Sequence, residues 1–309
     1  LKGRRGVAIQ QKRGPAPIIG VMQQKVFGLP VDLAVIFSNY KNAYKKRIEK
    51  RQRWFMVRLS FLKPFLELDE KILQVTTGHS PTTIFEKMGV GWVFVYLKRS
   101  LLVFTDRRIF HVPTTPAYRY RNSIAQIPYR LCRSIRMKGR NLILVYKASG
   151  ATETFFSIAG REKKKIGEIL KAVPVSSDGA AAGRRTHLCP QCAAPLSASG
   201  HTCRRCHFKF KTATLATLMA VLLPGGGYFY IRQPFLGAMA AITEITLMTV
   251  IGTTYSNLIY GDKPFLLVGA VTLFILEKIV ATVHAGVFIK EFVPRKKKFN
   301  FQSVSDQAG

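Results

Sequence analysis

Leu101-Leu-Val-Phe-Thr-Asp-Arg-Arg-Ile-Phe-His-Val112 sets two short runs of β-branched, aromatic and aliphatic residues on either side of a polar turn. Such residues fit a pleated, half-buried surface, and Asp106-Arg107-Arg108 supplies the turn. The stretch therefore reads as a β-hairpin, and similar signals surround it. Strand candidates lie upstream at 71–77 and 92–97 and downstream at 124–127. Residues 141–146 and 152–158, joined by Lys147-Ala-Ser-Gly150, read as a second hairpin. Residues 161–173 close the segment as a helix with Ile166, Ile169 and Leu170 on one face. Cys132 stands alone within it and reads as a small core residue. The expected unit is an α+β domain over residues 56–173.

The hairpin at 101–112, the runs at 124–127, 142–146 and 155–158, Gly150 and the final helix together resemble bacterial PH-like domains, which are related in shape to GRAM domains. The resemblance covers residues 66–173. It implies a curled antiparallel sheet capped by a C-terminal helix. It also implies binding of a lipid, a peptide or another copy of the chain, and it carries no reaction.

Residues 174–186 are rich in Ser, Gly and Ala and read as a linker. Residues 187–211 follow as a zinc ribbon. Cys189-Pro-Gln-Cys192 and Cys203-Arg-Arg-Cys206 form two CxxC knuckles, and each aims two thiolates at one point. Two such knuckles complete a tetrahedral four-sulfur shell, which suits Zn(II). The shell leaves no place for water or substrate, so a structural ion is expected. An iron–sulfur centre also fits four thiolates, whereas disulfides need an oxidising compartment for which no signal peptide is seen. The segment resembles the zinc ribbons that precede many prokaryotic membrane segments. It departs from them where a glycine often follows the second Cys, since Ala193 and His207 stand there. Arg204 and Arg205 are candidate phosphate contacts, with a solvated face as the plainer reading.

From residue 212 to 292 the chain is apolar in long runs. Pro234–Ser256 and Pro264–Ile289 each suffice for one crossing, while 212–231 is interrupted by Pro224-Gly-Gly-Gly227. The turn and the aromatic run after it loosely resemble small prokaryotic two-helix membrane modules. Two crossings plus a re-entrant or interfacial first hairpin are expected. Lys209 and Lys211 precede this region, and the tail 293–309 begins with Arg295-Lys-Lys-Lys298. The positive-inside tendency then puts both ends in the cytoplasm, giving a prokaryotic inner-membrane protein. Glu244, Glu277, Lys278 and His284 are ionisable groups at membrane depth. They read first as pairs that lock helices, and second as a proton or ion path.

The formal net charge is +32 over 309 residues, nearly all of it before residue 212. Such an excess favours polyanionic partners, an anionic lipid surface ahead of nucleic acid in a chain that carries membrane helices. Arg107 and Arg108 in the hairpin turn are candidate anion contacts. Residues 1–55 read as a basic tail whose place in the protein the sequence leaves open. No G-x-S-x-G elbow, Walker-type loop, H-E-x-x-H or paired-carboxylate cluster occurs in the soluble part, so no enzyme is expected. The sequence thus predicts a multidomain chain that binds or scaffolds at a membrane: α+β PH-like sheet, zinc ribbon and α-helical membrane region.

Overall fold

A computed structural model describes residues 25–82, 98–173, 183–197, 200–258 and 264–295. The strand expected at 92–97, most of the linker, the connection at 259–263 and the tail beyond 295 lie outside these residues. The described chain opens with β1 Lys25–Val26, β2 Leu29–Pro30, α1 Leu33–Ile36, α2 Lys46–Arg58 and a 3-10 turn at Ser60–Phe65. β3 Ile72–His79, β4 Arg99–Thr105, β5 Arg108–Pro113 and β6 Ile124–Pro128 then pair as an antiparallel meander. β7 Cys132–Lys138, β8 Asn141–Tyr146 and β9 Thr152–Phe155 make a second meander, and α3 Lys163–Ala172 follows it. His79 and Phe156 exchange backbone hydrogen bonds of 2.8 and 3.1 Å, joining β3 to the chain just past β9.

The 101–112 hairpin forms as expected, with Phe104 opposite Ile109. Its turn is pinned from within. The Thr105 hydroxyl oxygen accepts the N–H groups of Arg107 and Arg108 at 3.2 and 3.0 Å, and its proton goes to Glu70 at 2.7 Å. Asp106 accepts the N–H of Lys71 at 3.0 Å, which ties the turn to the start of β3. Along β4, Leu101 and Val103 belong to one core and Leu102 and Phe104 to another. A strand buried on both faces needs apolar residues without alternation, and Leu101-Leu-Val-Phe104 is such a run.

The second of these cores is the space between the two sheets. Tyr129, Cys132, Leu144, Tyr146 and Phe155 fill it, and Ile166, Ile169 and Leu170 of α3 close it. The first core corrects the expectation for residues 1–55, because residues 25–55 are folded onto the sheet. Val26, Leu29, Val31, Ile36, Phe37 and Phe55 are buried against Leu101, Val103, Phe110, Val112 and Ile124. Gln52 of α2 bonds the Val75 backbone both ways, giving its N–H₂ to the carbonyl at 2.9 Å and accepting the N–H at 3.2 Å. Lys165 of α3 donates to the carbonyls of Val35 and Ser38, and Arg51 pairs with Glu162. The boundary placed at Met56 therefore cuts through one core.

The linker boundary shifts too. β10 Thr186–Leu188 pairs antiparallel with β6 and becomes the fifth strand of the first sheet, so the cysteine module is continuous with the domain. Beyond it come α4 Ala213–Leu222, α5 Gly226–Tyr230, α6 Pro234–Leu258 and α7 Pro264–Ile289. α6 and α7 are long and apolar enough to cross a membrane, with mean hydropathies of 1.7 and 2.1 over their best windows. At 1.5 Å per residue they extend about 37 and 39 Å, against about 30 Å of hydrocarbon. Only 22% and 11% of those windows are buried, unlike the core helix of a soluble domain. Phe235, Ile242, Ile245, Leu266, Leu273 and Ile279 lie on the exposed faces. α4 is about 15 Å long and cannot cross.

A chain beginning at Met56 loses six buried apolar side chains, worth on the order of 10 kcal/mol at about 1.5–3 kcal/mol each. That matches the whole stability of a typical domain. Such a chain is expected to aggregate or melt without cooperativity when followed by circular dichroism. A sharp transition near that of the full chain contradicts the two-faced burial of β4.

Candidate metal centre and membrane base

Cys189 follows β10 directly, and the chain then folds back in a tight knuckle. Cys189 N–H donates to the Ala194 carbonyl at 2.8 Å, and Ala193 N–H to the Cys189 carbonyl at 2.9 Å. The second knuckle repeats this pattern, with Cys203 N–H to Phe208 O and His207 N–H to Cys203 O, both 2.9 Å. Ala193 and His207 take φ of 56° and 55°. These are the two positions where a glycine was missed, and the left-handed turn forms there without it. The side chains accept a cost of about 1–2 kcal/mol each.

All five cysteines are free, and the four Sγ atoms of Cys189, Cys192, Cys203 and Cys206 lie within 4.8 Å of one another. Cys189–Cys206 and Cys192–Cys203 stand 3.5 and 3.6 Å apart. A tetrahedron with metal–sulfur bonds of about 2.3 Å has edges of about 3.8 Å, so the four residues fit a single ion. Backbone N–H groups of Gln191 and Cys192 point at the Cys189 sulfur, and those of Arg205 and Cys206 at the Cys203 sulfur. These donors stabilise thiolates and fix their direction. Leu196, Phe208, Phe210 and Phe292 pack around the cluster. Arg204 and Arg205 lie exposed on the second knuckle.

The two knuckles connect different parts of the molecule. The first extends the soluble sheet. The second runs through Phe210, bridged to Pro294 beyond α7, and leads into α4. Lys211 N–H donates to Val293 O at 2.9 Å, and Arg295 N–H to Lys209 O at 3.1 Å. The domain also touches the helix bases directly, since Ser123 donates to the Glu291 carbonyl and Arg121 to the Gln233 side-chain carbonyl.

Arg108 is not an open anion contact, which corrects the expectation for that residue, whereas Arg107 stays exposed at the turn. Arg108 is buried and forms a fork on Glu70, with Nε–Oε1 3.0 Å and Nη2–Oε2 2.6 Å. Arg107 reaches Glu67 at 2.8 Å. The carboxylates come from the loop before β3, a partner that the sequence around Arg108 gave no means of locating.

The ionisable residues at membrane depth divide in two. Glu244 pairs with Lys278 at 2.5 Å, with Glu277 lying against the Glu244 carboxyl. His284 Nδ1 meets the Tyr228 hydroxyl at 2.8 Å, about 9 Å further along α7. The Glu244–Lys278 pair also serves the break after α4. Lys278 Nζ donates to the Ala220 carbonyl at 2.9 Å, and Glu244 accepts the Gly225 N–H at 3.2 Å. Both charged residues sit about 15 Å from the base of their helices, a distance that would be near half the hydrocarbon depth of a bilayer crossed by α6 and α7. Backbone groups at such a break have no water to turn to. A cation at the end of α4 and an anion at the start of α5 satisfy them and oppose the helix dipoles. Gly225 turns the chain at φ 64°, and a Cβ there would stand 2.1 Å from the Gly237 carbonyl.

Ala193→Gly and His207→Gly are each expected to tighten metal retention by about 0.5–1 kcal/mol, the relief of left-handed strain less the added freedom of the unfolded chain. Competition with a chelator reads this, and weaker retention in both variants contradicts the knuckle geometry. For the membrane pair, Glu244→Gln and Lys278→Met alone are each expected to cost about 3–5 kcal/mol. Together they should cost less than the sum, by about 1–3 kcal/mol. Additive losses in thermal unfolding of detergent-solubilised protein contradict a shared cap.

The chain matches no family model, no curated protein and no solved structure, and its function is argued from its own residues.

Proposed function

We propose that this chain is a membrane-anchored binding or scaffold protein whose PH-like domain is held at the cytoplasmic face of a prokaryotic cell membrane by a zinc ribbon. The carrying observation is the continuous join from sheet to ribbon to helix base. β10 belongs to the sheet, and Phe210, just past the second knuckle, pairs with Pro294 beyond α7. A binding fold fastened in this way is presented at the surface of the bilayer rather than hung from a flexible tether.

Four strands, then three, then a closing helix is the order of elements in PH-like domains, and it supports that reading of residues 66–173. Zn(II) is supported by the donor set: four sulfurs within 4.8 Å leave room for one ion rather than a multi-iron cluster. All four positions are thiolates, so the ion is structural and the protein is read as a binder rather than an enzyme. The orientation rests on charge. Lys209, Lys211, Arg232, Lys290 and Arg295 gather at the ribbon end of the helices, whereas residues 259–263 carry one Asp and one Lys.

The exposed Arg204 and Arg205 support a second reading, nucleic-acid binding through the ribbon. The transport reading loses support, because Glu244 and Lys278 cap a helix break and His284 is held by the Tyr228 hydroxyl.

Single cysteines introduced at Gly261 and Ser149 test the orientation against a membrane-impermeant maleimide. Gly261→Cys should react in intact cells and Ser149→Cys only after permeabilisation, with one zinc per purified chain. Labelling at Ser149 in intact cells overturns the reading. Oligonucleotide binding that weakens steeply with salt moves the assignment to the second.

A further inference from the structure

A cavity of about 860 Å³ opens where the β8–β9 hairpin, the cysteine module and the bases of α4 and α7 meet. Its size falls within the usual range of small-molecule sites. The wall is basic, with Arg184, Arg185 and Lys290 set against a single carboxylate, Glu153, while Lys211 gives its ammonium to the Tyr230 carbonyl. Arg185 is held in place, at 3.2 Å from Glu153 and with Nη1 at 3.2 Å from His111 Nδ1. Burial and the neighbouring Arg185 hold His111 well below the usual imidazole range. It is therefore neutral and accepts from Arg185 at Nδ1, while Nε2–H faces Ser80 Oγ at 2.8 Å. Arg184 and Lys290 carry exposed heads on the same wall.

The floor is apolar and belongs to the membrane base. Ala213 is the first residue of α4, Ile289 the last of α7, and Gly286 lies one turn deeper along α7. A Cβ at Gly286 would meet nothing within 4 Å, so the floor is open space over helix backbone. The cleft thus joins a cationic wall above the helix ends to an apolar channel that descends about 5 Å along α7. A ligand that satisfies both halves has an anionic head and a hydrocarbon tail. A soluble phosphate ester would leave the floor empty, and a zwitterionic lipid would leave the excess positive charge unanswered.

We infer that this cleft binds one anionic phospholipid of the cytoplasmic leaflet, its phosphate between the exposed heads of Arg184 and Lys290, beside Arg185, and one acyl chain over Gly286. The inference rests on the membrane-anchored reading above and gives that reading a ligand. It also places the lipid contact away from Arg108, which is buried on Glu70.

The test uses the delipidated full chain in detergent, titrated calorimetrically with dihexanoyl phosphatidylglycerol, dihexanoyl phosphatidylcholine and glycerol 3-phosphate. The anionic lipid should bind once per chain, at least about 10-fold tighter than either comparison ligand. The double substitution Arg184→Gln and Lys290→Gln should weaken it about 30-fold, since each basic residue near the surface contributes about 5-fold. Gly286→Leu fills the floor and should abolish binding. Gly269→Leu, another α7 position open around its Cβ, should bind as the unmodified chain does. Equal binding of the two lipids, or binding unchanged by Gly286→Leu, overturns the site. Glycerol 3-phosphate binding as tightly as the lipid overturns it as well and assigns the cleft to a soluble phosphate ester. Failure here with Gly261 still labelled from outside sinks the cleft alone, whereas inverted labelling sinks the reading beneath it.

Discussion

Four thiolates drawn from two separately anchored knuckles are the constraint on which the arrangement depends. Cys189 and Cys192 hang from the fifth strand of the soluble sheet, and Cys203 and Cys206 from the segment that enters the membrane helices. The module between them has little apolar interior, chiefly Leu196, Phe208 and Phe210 with Phe292 from beyond α7. So small a core does not hold two knuckles together unaided, and binding of an ion is coupled to folding in such segments. A metal bound across both knuckles would therefore fasten the sheet to the base of the two long apolar helices, and the basic cleft beside it takes its shape from the same join.

The membrane base obeys a second constraint, the need to satisfy backbone groups where water is absent. α4 stops part-way along the two long apolar helices, and the chain turns back through Gly225. One charge pair answers the carbonyl of Ala220 and the N–H of Gly225 together. A buried ion pair is seldom favoured for its own stability, and here its value lies in the two backbone groups it satisfies. The first sheet uses the same device at Arg108 and Glu70, where the pair fixes the turn between β4 and β5.

Much of this was legible because it is local. The hairpin at 101–112, the CxxC spacing and the two apolar helices each declare themselves within a short window. What escaped was long-range. Residues 25–55 lack an apolar period and carry many charges, yet the unbroken run Leu101–Phe104 signalled that the sheet needed a cover on both faces. β10 has three residues, and its partner β6 lies some sixty positions earlier, beyond any pattern argument. β7 was missed because Cys-Arg-Ser-Ile-Arg-Met-Lys alternates weakly. Arg108 reads as a surface group because residue type alone does not reveal a carboxylate about forty positions away.

Hydrogen exchange on the full chain, with and without its metal, addresses the central claim most directly. Removal of the ion is predicted to expose the amides of Thr186–Leu188 and of the Lys209–Lys211 segment, which join sheet to ribbon and ribbon to helix base. β4 and β5, buried within the meander, should keep their protection. Unchanged protection at both joins after complete removal would contradict the account, because the sheet and the membrane helices would then be held together without the metal.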